Sequence, residues 1–172
     1  GLCRRHPVAH VIAAGYGSGG VLVGDDPDAA GGGAILPMID YEQEVPPGLD
    51  EAYAPLTGGF FDRGSRIMER AAHQARQMFW MERERPQDFA RARWYLGLPQ
   101  YWAWRLSGTA VSEHTVLGAQ SHLWNVVEQR YAPIVTGRGW QRLFPAFAPA
   151  WKNLGSIRPR LARHFGLPET IA

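Results

Sequence analysis

The sequence predicts an α/β domain, and three observations carry that reading. Three short apolar stretches, separated by turns rich in glycine and proline, lie between residues 8 and 39. Amphipathic stretches of helical period fill most of the remainder. Two later stretches begin at proline and end at glycine, the asymmetry expected of helices.

Residues 8–14 form a mostly apolar run that ends in glycines, so they read as a buried strand. Residues 20–24, Gly-Val-Leu-Val-Gly, read as a second strand after the glycine-rich turn of residues 15–20. Residues 25–33 are punctuated by Pro27 and three consecutive glycines and read as a loop. Residues 34–39 read as a third strand, with Pro37 pushing it toward an edge or a bulge. Asp40 to Glu44 follow, and Pro46-Pro47 then enforces an extended connection.

The helical part opens with residues 66–84, where Ile67, Ala71, Ala75, Met78 and Phe79 share one face and Pro86 follows the end. Residues 87–96 read as a shorter amphipathic segment. Residues 99–107 start at Pro99 and stop before Gly108, and residues 159–165 repeat that pattern with Pro159 and Gly166. Between them, residues 112–125 hold a helical turn and residues 140–144 a short helix. There is no internal repeat and no low-complexity tract.

At 172 residues, 45% of them apolar and 12% aromatic, the chain fits one domain with a substantial core, which excludes disorder. No apolar run reaches the roughly eighteen residues of a membrane span. Residues 1–7 carry charge with no apolar run behind them, so they do not read as a secretory signal. The absence of an initiator methionine suggests a chain that begins partway through a gene product. A single cysteine, Cys3, leaves no internal disulfide framework and no cysteine-rich zinc site, and without a base partner it does not read as a nucleophile. An intracellular, cytoplasmic compartment is expected. Eighteen basic against sixteen acidic residues leave +2 with no long block of one sign, and seventeen of the eighteen are arginine. Without a concentrated basic face, nucleic acid is not the expected partner.

Gly15, Gly17 and Gly20 match G-x-G-x-x-G after a strand, and Asp40 lies twenty residues further on. Dinucleotide binding needs a helix whose first amides face the pyrophosphate, but Val21-Leu-Val-Gly-Asp-Asp-Pro27 is too short and too β-branched to supply one. A nicotinamide-dependent oxidoreductase is therefore the third-ranked reading. A glycine-rich turn that lets backbone approach backbone fits better, and a third reading is that these glycines leave space for a polar ligand against the main chain. Asp40 and Glu42, at i and i+2, would point to the same side if the backbone stays extended. Carboxylates so placed accept hydrogen bonds from polyol hydroxyls beside the face of Tyr41. Solvated loop charges ahead of Pro46 would have the same sequence.

His6, His10, His73, His114, His122 and His164 show no metal-ligand spacing and read as surface or packing histidines. Seven tryptophans are many for this length. Trp102 and Trp104, two apart on one helix, must face different environments; packing is the default role for the tryptophans, and a stacking platform for a sugar or base is the alternative for one or two of them.

The stretch Leu98-Pro-Gln-Tyr-Trp-Ala-Trp-Arg-Leu-Ser-Gly-Thr-Ala-Val-Ser-Glu113 resembles the FGGY carbohydrate kinases, where a helix ending R-L-T/S-G precedes a segment that often begins S/T-D/E. The likeness continues through Ala119-Gln-Ser-His-Leu-Trp-Asn125, Gly139-Trp-Gln-Arg-Leu-Phe-Pro145 and Leu154-Gly-Ser-Ile-Arg-Pro-Arg-Leu161. It extends back to Gly15-Tyr-Gly17, Val21-Leu-Val-Gly-Asp-Asp26 and Leu36-Pro-Met-Ile-Asp40. The resemblance implies an RNase H-like, actin-like lobe and ATP-dependent phosphoryl transfer to a sugar hydroxyl with Mg2+. It implies sugar contacts from Tyr16, Gly17, Asp40 and Glu42, the sugar being a pentose, deoxyhexose or polyol. Many relatives carry histidine where this chain has Tyr16. The resemblance further implies that residues 1–172 are a partial N-terminal domain. The family's phosphate-loop strand would precede Gly1, and the general base and the C-terminal lobe would follow Ala172. No catalytic residue is then expected here, the chain alone should be inactive, and an exposed inter-lobe face should favour self-association. A non-catalytic binding or assembly module on the same fold is the alternative.

Overall fold

The computed structural model describes residue 6, residues 8–168 and residues 170–172, so Cys3 lies outside the described residues. Strand β1 is Gly20–Val23, and a 3-10 turn at Ala30–Gly33 closes the loop behind it. Helices α1 (Leu49–Tyr53) and α2 (Phe60–Arg63) are short. Helix α3 (Gln74–Glu84) is followed by α4 (Pro86–Arg91), strand β2 (Trp94–Gly97) and α5 (Leu98–Ser107). Helix α6 (His114–Gly118), the ribbon β3 (Trp124–Asn125) and β4 (Arg130–Tyr131), α7 (Pro133–Gly137), a 3-10 turn at Trp140–Leu143 and α8 (Pro159–Phe165) complete the chain.

β1 pairs antiparallel with β2 in the register Gly20↔Gly97 to Val23↔Trp94. Every residue of β1 is buried because the ribbon is covered on both faces. Alternation sends Val21 and Val23 into a cluster with Leu96 and Trp104 of α5. Leu22 and Tyr95 belong to the larger core, which also holds Tyr53, Met78, Trp140 and Leu143. The result is a mixed architecture of helices around two small antiparallel ribbons. No helix among the described residues is long and apolar enough to cross a membrane.

The proline–glycine rule holds at both helices for which it was used. Gly108 ends α5 and Gly166 ends α8 in the left-handed conformation, at φ 83° and 63°. α5 also separates its tryptophans as expected, with Trp104 buried and Trp102 half-exposed.

Four expected elements differ. Residues 8–14 form no strand. Val11 N–H donates to the Ala172 carbonyl at 2.8 Å and Ala172 N–H to that of Ala9, but Ile12 is 87% exposed. Residues 34–39 contribute one bridge, Val23↔Ala34, and Ile35 N–H donates to Leu22 O, after which Pro37 has no N–H to extend the ladder. α3 begins at Gln74, because Arg70 takes φ 57° and the backbone before it is satisfied by other partners. Met68 N–H donates to His73 Nε2, and Ala71 N–H to the Gln43 carbonyl. Residues 87–96 divide into the end of α4 and strand β2. Ala92 turns to the extended region, and long-range pairing with β1 outweighs the local helical pattern.

Candidate functional site

The glycine turn before β1 and the acidic turn after Pro37 come together at the surface. The ring of Tyr16 meets that of Tyr41 edge-on, with centroids 5.2 Å apart at 62°. Both rings remain partly exposed, as does Met38. A Cβ on Gly19 would lie 3.3 Å from Tyr16 Cε2 and 3.5 Å from Met38 Sδ, so this patch is closely built around a bare main chain.

Asp40 and Glu42 do not lie on an extended strand. Asp40 Oδ1 accepts from Glu42 N–H at 2.9 Å, and the Asp40 carbonyl accepts from Gln43 N–H at 3.0 Å. Aspartate favours this arrangement, because its side chain can cap the turn that its own backbone makes. Both carboxylates are exposed and flank Tyr41. Glu42, loss of solvent, and then Asp40 and Tyr16 push the Tyr41 phenol above its ordinary range, so it stays a hydrogen-bond donor. Of the predicted residues, Tyr16 therefore meets the Asp40–Glu42 turn through Tyr41. Gly17 is reached from the other side.

That other side is α3. Gln74 Nε2 donates to the Gly17 carbonyl at 2.6 Å, and Gln77 Nε2 donates to the Ser18 and Ala71 carbonyls, each at 2.7 Å. Both glutamines are fully buried. Gln120 Nε2 donates to Ser18 Oγ at 3.1 Å, and its own carbonyl accepts from His73 Nδ1–H at 2.7 Å. Sequence reasoning missed this set. Its signal was present: two glutamines at i and i+3 lie on the face that carries buried Met78, where an ordinary amphipathic helix would be apolar.

Gly15, Gly17 and Gly20 lead directly into β1, not into a helix, which removes the geometry a pyrophosphate needs. Gly20 answers to close approach instead, since a Cβ there would overlap the phenol end of Tyr95.

His73, His114 and His122 stack on other rings. His73 and His122 stack with centroids 3.5 Å apart, and His114 stacks on Phe147 at 4.0 Å. Met68 N–H fixes His73 Nε2 as an acceptor, and burial lowers His73 to about 4. Burial and then the charge of His73 lower His122 to about 3. Tyr53 shares a hydrogen bond of 2.8 Å with His122 Nδ1, and burial pushes its phenol up. Glu113, inside the matched R-L-S-G…S-E stretch, caps α6 by accepting from the Thr115 and Val116 amides, both at 3.0 Å. Burial raises its carboxyl, but the hydrogen bonds from Thr115 and Val116 outweigh that and hold it low. Among the described residues, no group of three or more His, Cys, Asp or Glu could hold a metal ion.

Known proteins share this fold. A carbohydrate kinase from Novosphingobium aromaticivorans superposes over 99% of this chain and 36% of its own, with a TM-score of 0.89 and 29% identity. A gluconate kinase from Lactobacillus acidophilus superposes over 99% of this chain and 34% of its own, with a TM-score of 0.71 and 13% identity. A xylulose kinase from Rhodospirillum rubrum superposes over 94% of this chain and 32% of its own, with a TM-score of 0.68 and 15% identity. No curated protein matches the sequence. This chain spans about a third of the length of these kinases. The architecture is that of a carbohydrate-kinase domain. Residues 57–172 match the N-terminal domain of the FGGY family of carbohydrate kinases, and the chain belongs to that family.

Proposed function

We propose that this chain is the sugar-binding part of an actin-like, RNase H-like N-terminal lobe in an ATP-dependent sugar kinase. The observation that carries the reading is the pairing of Tyr16 with Tyr41 between the carboxylates of Asp40 and Glu42, beside the half-buried main chain at Gly17. An aromatic edge, two acceptors and a bare backbone suit a polyhydroxylated ligand. Carboxylate oxygens accept hydroxyls, ring faces cover C–H surface, and main-chain groups come within reach where no side chain intervenes. Asp40 and Glu42 would accept sugar hydroxyls, and Tyr16 and Tyr41 would set the shape of the wall. A pentose, deoxyhexose or polyol is the expected substrate class.

Phosphoryl transfer is mostly positioning and charge stabilisation. By the family resemblance, the groups that hold ATP and Mg2+ are expected in the second lobe and in the phosphate-loop strand, outside residues 1–172. The chain alone should bind sugar weakly and transfer nothing. A cytoplasmic reaction goes with ATP as the donor in this reading. The test is ADP release by the complete gene product against a panel of pentoses, deoxyhexoses, polyols, xylulose and gluconate. Saturable release with one class supports the reading, and ADP release that no sugar stimulates refutes it.

A further inference from the structure

The first turns of α3 grip two separate loops. His73 Nδ1–H donates to the Gln120 carbonyl, and Ala75 N–H donates to the Ser121 carbonyl at 3.0 Å. From the same turns, Gln74 and Gln77 donate to the carbonyls of Gly17 and Ser18. Gln120 closes the circuit through Ser18 Oγ. The two loops also abut, since a Cβ on Gly17 would lie 3.5 Å from that of Ala119.

This polar bracket is unusual for an interior. Gln74 and Gln77 expose nothing to solvent, and each leaves its amide oxygen without a partner among the described residues. Burying an unpaired amide oxygen is unfavourable, whereas an apolar side chain there would carry no such cost. Loop carbonyls that need donors are the feature of the environment that favours glutamine over leucine or methionine. Each amide uses its N–H groups on a carbonyl, so the acceptors on residues 17 and 18 are turned inward, toward α3.

We propose that Gln74, Gln77 and Gln120 are positioning residues for the sugar wall: they hold the backbone of Gly17 and Ser18 from behind, and thereby fix Tyr16 against Tyr41. The inference rests on the sugar-site reading above. None of the three touches the sugar, and each acts through the loop.

The test has two arms. In the 172-residue chain, Gln74→Met and Gln77→Met keep side-chain length and remove the donor. Amide hydrogen exchange of residues 17–20 should accelerate at least about tenfold in each variant, while β2 stays protected. In the complete kinase, Gln74→Met should raise the sugar KM at least about tenfold and leave the ATP KM within about twofold. Gln100→Met, at a buried glutamine of α5 that makes none of the bracket's hydrogen bonds, serves as the matched packing control and should leave both constants in place. Unchanged exchange in residues 17–20 overturns the bracket. Accelerated exchange with an unmoved sugar KM, in a kinase where Asp40→Ala does raise it, overturns the positioning role and leaves the site reading intact. Asp40→Ala and Gln74→Met both without effect on sugar would remove the site reading, and the positioning role with it.

Discussion

The imidazoles of His73 and His122 lie almost flat against each other, 3.5 Å between centroids and 19° between planes, and both are buried. One belongs to the residue that precedes α3. The other follows the Gln120 turn and takes φ 63°. The stack therefore joins the helix to the loop that it brackets, and burial of both rings favours their neutral forms.

That neutrality predicts a pH dependence. An unfolded histidine titrates near 6.5, whereas burial lowers His73 to about 4 and His122 to about 3. Below 6.5 the unfolded chain binds protons that the folded chain refuses, so stability is full above that value and falls as pH drops toward 4. The loss is up to about 1.4 kcal/mol per pH unit for each ring. Asp28, Asp62 and Glu113 are all held below their ordinary carboxylate values and lose their contribution only at lower pH. Denaturant unfolding at a series of pH values checks this. His122→Asn should be less stable overall, with a visibly shallower slope between about pH 6.5 and 4.5. A flat wild-type profile over that interval would contradict the buried neutral pair.

Two glycines should behave oppositely. Gly20→Ala pushes a methyl into the phenol of Tyr95 in the central ribbon and should cost about 1–3 kcal/mol. Gly137→Ala, at the end of α7 with nothing within 4 Å, should be neutral or stabilising by up to about 1 kcal/mol. Midpoints of denaturant unfolding separate the two, and equal effects would refute the close-approach explanation of Gly20.

The exposed run near the chain's first residues should make this chain self-associate. Ile12 and Trp151 are each 87% exposed and line one cavity of about 550 Å³ with Leu106 and Ile157. Apolar surface of this kind is uncommon on a monomer. Sedimentation should show association that rises with concentration and weakens in an Ile12→Asp, Trp151→Ser double variant. A monodisperse monomer at high concentration would contradict it.

The helices and turns that were legible owe their form to local chemistry. Pro99 with Gly108 and Pro159 with Gly166 mark ends that neighbouring residues dictate. β1 was legible because Val-Leu-Val is buried on both faces. Its partner was not, because Trp94 to Gly97 becomes a strand only through pairing with residues more than seventy positions away. Residues 8–14 have strand-like composition, but their backbone partner here is Ala172, and no ladder forms. At the candidate site, the sequence pointed to Tyr16 and Asp40, while the edge-on contact with Tyr41 and the Asp40 turn needed coordinates. The glutamine bracket stayed hidden because buried amides resemble surface residues in composition.

The proposed place of Asp40 in a sugar-binding wall is decided by the sugar kinetics of Asp40→Ala in the complete kinase. Charged hydrogen bonds to hydroxyls contribute roughly 1.5–3 kcal/mol each, and about 1.4 kcal/mol is a factor of ten. Sugar kcat/KM should therefore fall at least about tenfold, with the ATP KM within about twofold and a milder effect for Asp40→Asn. If Asp40 is a solvated turn residue, the substitution would shift stability by no more than about 0.5 kcal/mol. Unchanged kcat/KM for the best sugar would then contradict the claim.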